Sequence, residues 1–256
     1  MKKFRVFLLV LLLALVSSTA SAQSYPRGDV DQDGSVGISD VSALIDYLLN
    51  GTWPDETDEH EWVDLGLPSG TLWATCNVGA NAPEEYGDYF AWGETEPKDV
   101  YSWETYKWCN GSDTTLTKYC TKSKYGYNGF VDNKTELDPE DDAAYVNWGA
   151  SWRMPTKSQL GELRSECTWL WSNLNGVNGI LVTGPNGNSI FLPANGCRTG
   201  SSLILSNVGN YWSLNLYIYG GIDAYDFYFW SDGFWGVNPH TREGGRAVRA
   251  VYVSQD

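Results

Sequence analysis

The chain has 256 residues, with 17 Lys and Arg against 32 Asp and Glu, a formal charge of -15. That balance opposes binding to phosphate backbones and anionic lipid surfaces, both of which reward Lys and Arg, so nucleic acid is excluded as an expected partner. The 13 Trp and 16 Tyr beside only 2 Met instead suit a large, rigid, β-rich domain with amphipathic rings at its surface.

Lys2, Lys3 and Arg5 precede an apolar run from Val6 to Val16, and Ala20, Ser21 and Ala22 place small residues before Gln23. This pattern predicts a secretory signal peptide over 1–22. The run falls short of the roughly 20 apolar residues a spanning helix needs. The mature chain is therefore expected to be secreted or displayed at the cell surface, without a transmembrane anchor.

Asp29, Asp31 and Asp33, then Gly34 and finally Asp40, stand at positions 1, 3, 5, 6 and 12 of a calcium loop. Alternate residues of such a loop turn their oxygens inward, glycine permits the sharp turn, and Ser35 offers its backbone carbonyl. Asp40 is shorter than the usual Glu and Gly37 has no side chain, so water is expected to complete the shell. Calcium is the cofactor this spacing predicts. Val41, Leu44, Ile45, Leu48 and Leu49 then recur on one helical face until Asn50 and Gly51 end it. The module spans 23–51. Residues 52–61, with Pro54 and an acidic run, read as a solvated linker.

The main domain is expected over 62–253. Short strands are predicted at Thr71 to Val78, Ile180 to Thr183, Ser189 to Leu192 and Arg246 to Val253. One helix is well signalled between them. Thr156 and Gln159 form a capping box, and Leu160, Leu163 and Cys167 share a face. Five cysteines in an exported chain permit disulfides and leave one over. Cys109 and Cys120 flank a polar turn and are the expected pair, while Cys76, Cys167 and Cys197 lie in segments that look buried.

Catalytic signatures are few. The chain has two histidines, His60 in the acidic linker and His240 in an expected surface loop, so imidazole-assisted nucleophilic catalysis in the main domain rests on His240. There is no GxSxG elbow, phosphate loop or HExxH. Glu94 with Glu96, and Asp138 with Asp141, read as acidic, exposed loop residues rather than a glycosidase pair. The stretch Tyr217 to Glu243 is richer. Extended, it would put Tyr225, Phe227 and Phe229 on one face and Asp226, Tyr228 and Trp230 on the other. With Asp232, Trp235, Asn238 and His240 it mixes rings and short polar groups, as binding loops do. These seven residues are the predicted ligand-binding set.

Several separated motifs carry a family resemblance. Val63 to Leu67, Trp73 to Ala80, Ala91 to Thr95, Asp138 to Ala144, Trp152 to Thr156, Tyr211 to Ser213 and Gly245 to Arg249 follow in the order seen in the Fibrobacter succinogenes major paralogous domain, which the chain resembles over nearly all of 62–253. The resemblance implies an α+β fold, an irregular C-type-lectin-like domain with a small twisted antiparallel sheet and long loops, related to formylglycine-generating enzymes. It implies structural roles for Trp73, Trp92, Trp148, Trp152 and Trp212, and carboxylate partners for Arg153 and Arg249. Gly28 to Gly51 resembles one repeat of a type I dockerin, a module that usually carries two, and this implies a cohesin as partner. Neither the EPN or QPD triplet nor the WND triplet of calcium-dependent sugar-binding lectins is present.

Together these features predict a non-catalytic binding protein with a glycan or protein ligand. The rival readings are a carbohydrate-active or protein-modifying enzyme recruited through its dockerin, and a structural surface or fimbrial component. A further one is a diversity-generating retroelement target, since Ile222, Asp226, Tyr228, Asp232, Asn238, His240 and Thr241 are each reachable from an asparagine codon.

Overall fold

A computed structural model of the chain describes residues 41, 44 and 60–253, apart from 206 and 234. The chain divides into two compact units, Met1–Glu59 and His60–Asp256. Asp29, Asp31, Asp33, Ser35 and Asp40, the predicted calcium ligands, lie outside the described residues. Among the described residues no helix is long and apolar enough to cross a membrane.

The second unit consists of small antiparallel sheets with few helices. A four-stranded sheet is built from β1 (Trp62–Asp64), β2 (Leu72–Ala74), β3 (Trp152–Arg153) and, from the far end of the chain, β12 (Val251–Tyr252), in the order β1-β2-β12-β3. Helix α1 (Ala143–Trp148) precedes β3 and α2 (Lys157–Glu166) follows it. Next come a meander of β4 (Thr168–Leu174), β5 (Val177–Thr183) and β6 (Ser189–Pro193), and a hairpin of β7 (Cys197–Thr199) and β8 (Ser202–Ile204). A second meander, β9 (Val208–Leu216), β10 (Asp223–Trp230) and β11 (Trp235–Thr241), completes the fold.

The α2 start follows its sequence signal. Thr156 Oγ1 accepts from the Gln159 backbone N–H while the Gln159 side chain accepts from the Thr156 N–H at 2.8 Å, so two of the helix's orphan donors are satisfied reciprocally. Leu160 and Leu163 are buried, and they pack with Ile180, Val182, Ile190 and Leu192 of the first meander and Phe227 and Phe229 of the second. The predicted strand over Arg246 to Val253 is shorter than expected. Only Val251 and Tyr252 join a ladder, because Arg246 and Ala247 make single bridges to Phe90 and Tyr211 instead.

Trp73, Trp92, Trp152 and Trp212 are fully enclosed, as structural rings should be, while Trp148 is half-buried against His60, whose ring stacks on it at 3.9 Å. The Trp92 indole donates to the Ser213 carbonyl and the Trp212 indole to the Phe90 carbonyl, so these two rings are held with their N–H groups paired, whereas the Trp73 Nε1 is buried without a hydrogen-bond partner among the described residues. Arg249 departs from expectation. It meets no carboxylate, and its fork donates to Asn77 Oδ1 and to the carbonyls of Ala74, Thr75 and Phe191. Arg153 likewise donates to the carbonyls of Ala150 and Trp152 and lies over the Tyr145 ring.

The disulfide expected between Cys109 and Cys120 is not formed, and all five cysteines are free thiols. The turn pairs Cys109 with Leu116, not Cys120. Each thiol is directed at its own acceptor: Cys109 Sγ lies 3.0 Å from the Trp103 carbonyl, and Cys120 Sγ 3.3 Å from that of Lys122.

Asp142 caps α1. Its Oδ1 accepts from Ala144 and Tyr145 and its Oδ2 from Met154. Burial nevertheless pushes this carboxyl from its ordinary 3.8 up to about 6, against those N–H donors, which favour the charged form. Between these values the folded chain keeps a proton that the unfolded chain has lost. The group's contribution to stability is thus greatest below about 3.8 and is lost as pH rises through about 6. Urea midpoints measured across that window should fall with rising pH more steeply in the wild type than in Asp142→Asn, which cannot ionise. Equal slopes would refute the assignment.

Candidate functional site

The second meander builds the site by register. Residues directly opposite in an antiparallel pair point to the same face, and here Asp226 faces Asn238 and Ala224 faces His240 on one side, while Asp226 faces Trp212 and Tyr228 faces Asn210 on the other. One face of the sheet therefore gathers Asn210, Asp226, Tyr228, Trp230, Asn238 and His240. The opposite face carries Phe227 and Phe229, both fully buried. A bulge between Ala224 and Asp226 breaks the β9 pairing, and Tyr225 leaves the core to pack on Tyr217 with the Lys157 ammonium 4.0 Å from its ring centre.

A pocket of about 590 Å³ opens on the polar face, lined by Val208 and Asn210 of β9, Tyr228 and Trp230 of β10, and Asn238, Pro239 and His240 of β11. Cys197 and Ile204 of the β7–β8 hairpin supply a further wall. Gly236 stands opposite Tyr228 and has no side chain to fill the space; a Cβ there would lie 2.9 Å from Asn238 Nδ2. Asn210 is anchored from behind. Its backbone N–H donates to Asn195 Oδ1 and its side-chain amide to the Gly196 carbonyl. The rim is apolar, with Trp230 44% and Ile204 47% exposed.

Of the seven predicted ligand-binding residues, Tyr228, Trp230, Asn238 and His240 line this pocket. Two expectations need correcting. His240 lies on β11, not in a loop. Asp226 presents nothing to a ligand, because it is completely enclosed: Arg246 Nε lies 2.6 Å from Oδ2 and His240 Nδ1 2.8 Å from Oδ1. The Arg246 guanidinium in turn lies 4.3 Å from the centre of the Trp212 ring. Such burial also makes Asp226 a poor position for diversification, since most replacements would strand Arg246. Asp232 lies on the exposed turn after β10, outside the pocket lining, and Trp235 opens β11. Sequence reasoning missed Cys197, Ile204, Val208, Asn210 and Pro239 as pocket residues. Only the β9 pairing and the hairpin bring the first four there.

Other acidic clusters are engaged elsewhere. Lys118 Nζ bridges Asp138 at 2.7 Å and Asp141 at 2.6 Å, and Lys98 holds Glu94 at 2.8 Å. Glu94 and Asp141 are buried, contrary to the exposed loop positions expected for them. Lys118 and Lys134 hold the Asp138 carboxyl below its ordinary range. Among the described residues no group of three or more His, Cys, Asp or Glu converges as a metal site.

No family model matches the chain, and no curated protein or solved structure matches it.

Proposed function

We propose that this chain is an exported, surface-exposed binding protein whose ligand, a glycan or another protein, enters the pocket on the β9–β10–β11 sheet. The observation that carries this reading is the joining of two aromatic rings, Tyr228 and Trp230, with the short polar groups of Asn238 and His240 around one cavity. Rings offer large contact area at low entropic loss, and a few fixed polar groups give orientation. The small antiparallel sheets and few helices among the described residues are consistent with an α+β fold, within which the C-type-lectin-like architecture implied by the sequence motifs is part of this proposal. A printed array of glycans and extracellular proteins tests the reading: Trp230→Ala should abolish any signal the wild type gives, and retention of full binding would move the site elsewhere.

The preceding module, in this proposal, is a dockerin-like loop and helix ordered by calcium through Asp29, Asp31, Asp33, Ser35 and Asp40, with a cohesin as its partner. A unit so small buries too little apolar surface to fold unaided, since domains below about 40 residues usually need a metal or disulfide. Calcium titrated into the metal-free full chain should raise its helical signal and release heat, and Asp31→Ala should weaken both. Indifference to calcium would remove the module from the proposal.

A second reading, an enzyme, has one observation in its favour. Cys197 and His240 line the same pocket, with the Asp226 carboxylate behind the imidazole. Turnover of glycosides or peptides that disappears in Cys197→Ala would establish it.

A further inference from the structure

The geometry behind His240 narrows the ligand of the proposed pocket, and the inference rests on that reading. Asp226 is fully enclosed and both its oxygens are engaged, one by Arg246 and one by His240. A guanidinium is always cationic, and a carboxylate facing it has no proton to give, so it can only accept. The hydrogen in the 2.8 Å contact with His240 therefore sits on Nδ1. In the neutral ring that leaves Nε2 as a bare acceptor. It lies across the ring from the buried carboxylate, on a side chain 42% exposed that lines the pocket. Among the described residues nothing donates to it.

With the ring neutral, the pocket thus presents an acceptor and no proton at His240 Nε2, on an imidazole oriented by the buried Asp226. A ligand that brings an O–H satisfies this atom; a carboxylate or sulfate oxygen placed there does not, and the chain's charge of -15 adds a general repulsion toward anions. Volume points to a small ligand or a short terminal segment of a larger one. About 590 Å³ is within the range of small-molecule sites, whereas protein partners typically cover about 800 Å² of flatter surface on each side. Trp230, 44% exposed at the rim, suits a ring that shows C–H groups on one side and hydroxyls at its edge.

We propose that the pocket binds a neutral saccharide, one ring packed on Trp230, with one hydroxyl donating to His240 Nε2 and others meeting the Asn238 amide. Asp226 and Arg246 are positioning residues that hold the imidazole in the accepting tautomer.

The test begins without a ligand. Nitrogen-15 correlation spectra of the full chain at pH 7.5, with His240→Gln assigning the signal by its loss, should show His240 protonated on Nδ1 and bare on Nε2. A printed panel of neutral and acidic glycans, followed by the methyl glycosides of glucose, mannose and galactose and by glucuronate in solution, then tests the ligand class. A neutral saccharide should shift the Nε2 resonance and slow alkylation of Cys197 by iodoacetamide. His240→Phe should weaken its binding about tenfold, the equivalent of one hydrogen bond, and His240→Gln, which restores an acceptor, should weaken it less. An Nε2-protonated ring or an imidazolium overturns the inference but leaves the pocket as a ligand site. Binding confined to acidic glycans or to proteins does the same. If no glycan or protein of any kind protects Cys197 or depends on Trp230, the pocket reading itself fails.

Discussion

Asp226→Ala is expected to lower the unfolding free energy by about 3–5 kcal/mol, the loss typical when one member of a buried ion pair is removed. An exposed pair would give roughly 0–1 kcal/mol, so the size of the effect reports burial directly. Arg246 is only 8% exposed and packs over Trp212, so without Asp226 its charge has little water and no ion-pair partner among the described residues. His240 loses the acceptor for Nδ1 at the same time. Arg246→Ala should be comparably damaging, since it leaves the carboxylate alone. The double replacement Asp226→Leu with Arg246→Met should recover much of the loss, because an apolar pair of similar volume often equals a buried salt bridge. Urea unfolding of the four proteins decides it. Single-variant losses below about 1 kcal/mol would show that the pair is not buried in solution.

Arg249→Met should cost about 3 kcal/mol, by a different route. The side chain is 1% exposed and ties the end of β2, through the Ala74 and Thr75 carbonyls, to β6 through that of Phe191. Burial pulls its pKa below the ordinary value, so enclosing the charge is itself unfavourable. Methionine removes that penalty. Against it stand three carbonyls and the Asn77 amide oxygen that lose a charged donor, at roughly 1–3 kcal/mol for each buried group left unsatisfied. Four such losses exceed the relief, which is the basis for the sign. Arg249→Lys should rescue little, because one ammonium cannot reach acceptors spread over two strands that a planar fork spans. Calorimetric or urea unfolding checks both variants, and a neutral or stabilising Arg249→Met would mean that the cost of enclosing the charge outweighs the bonds it makes.

Several parts of this architecture could be read from the chain alone, and they share a property: their signal is local. The capping box at Thr156 and Gln159 is a contact three residues apart, and the helix it opens buries Leu160 and Leu163 as their spacing implies. The split of Phe227 and Phe229 from Tyr228 and Trp230 follows from the two-residue period of any strand. What tertiary structure alone decided lies in contacts that no local period encodes. Alternation put Asp226 on the open face, but Trp212, from the neighbouring strand, and Arg246, from 20 residues further on, roof it over and turn a presumed ligand contact into a buried anchor. Arg249 finds carbonyls 174 and 175 residues away where a carboxylate was expected, because the chain's end returns to pair with its beginning. Cys109 meets Leu116 because backbone register, not flanking position, chooses partners across a turn. The pocket combines both kinds of information. Its aromatic pair, Tyr228 and Trp230, was legible as alternation, while its walls from β7, β8 and β9 depend on a register set by the packing of Phe227 and Phe229 beneath, since sliding a strand by one residue would exchange the two faces.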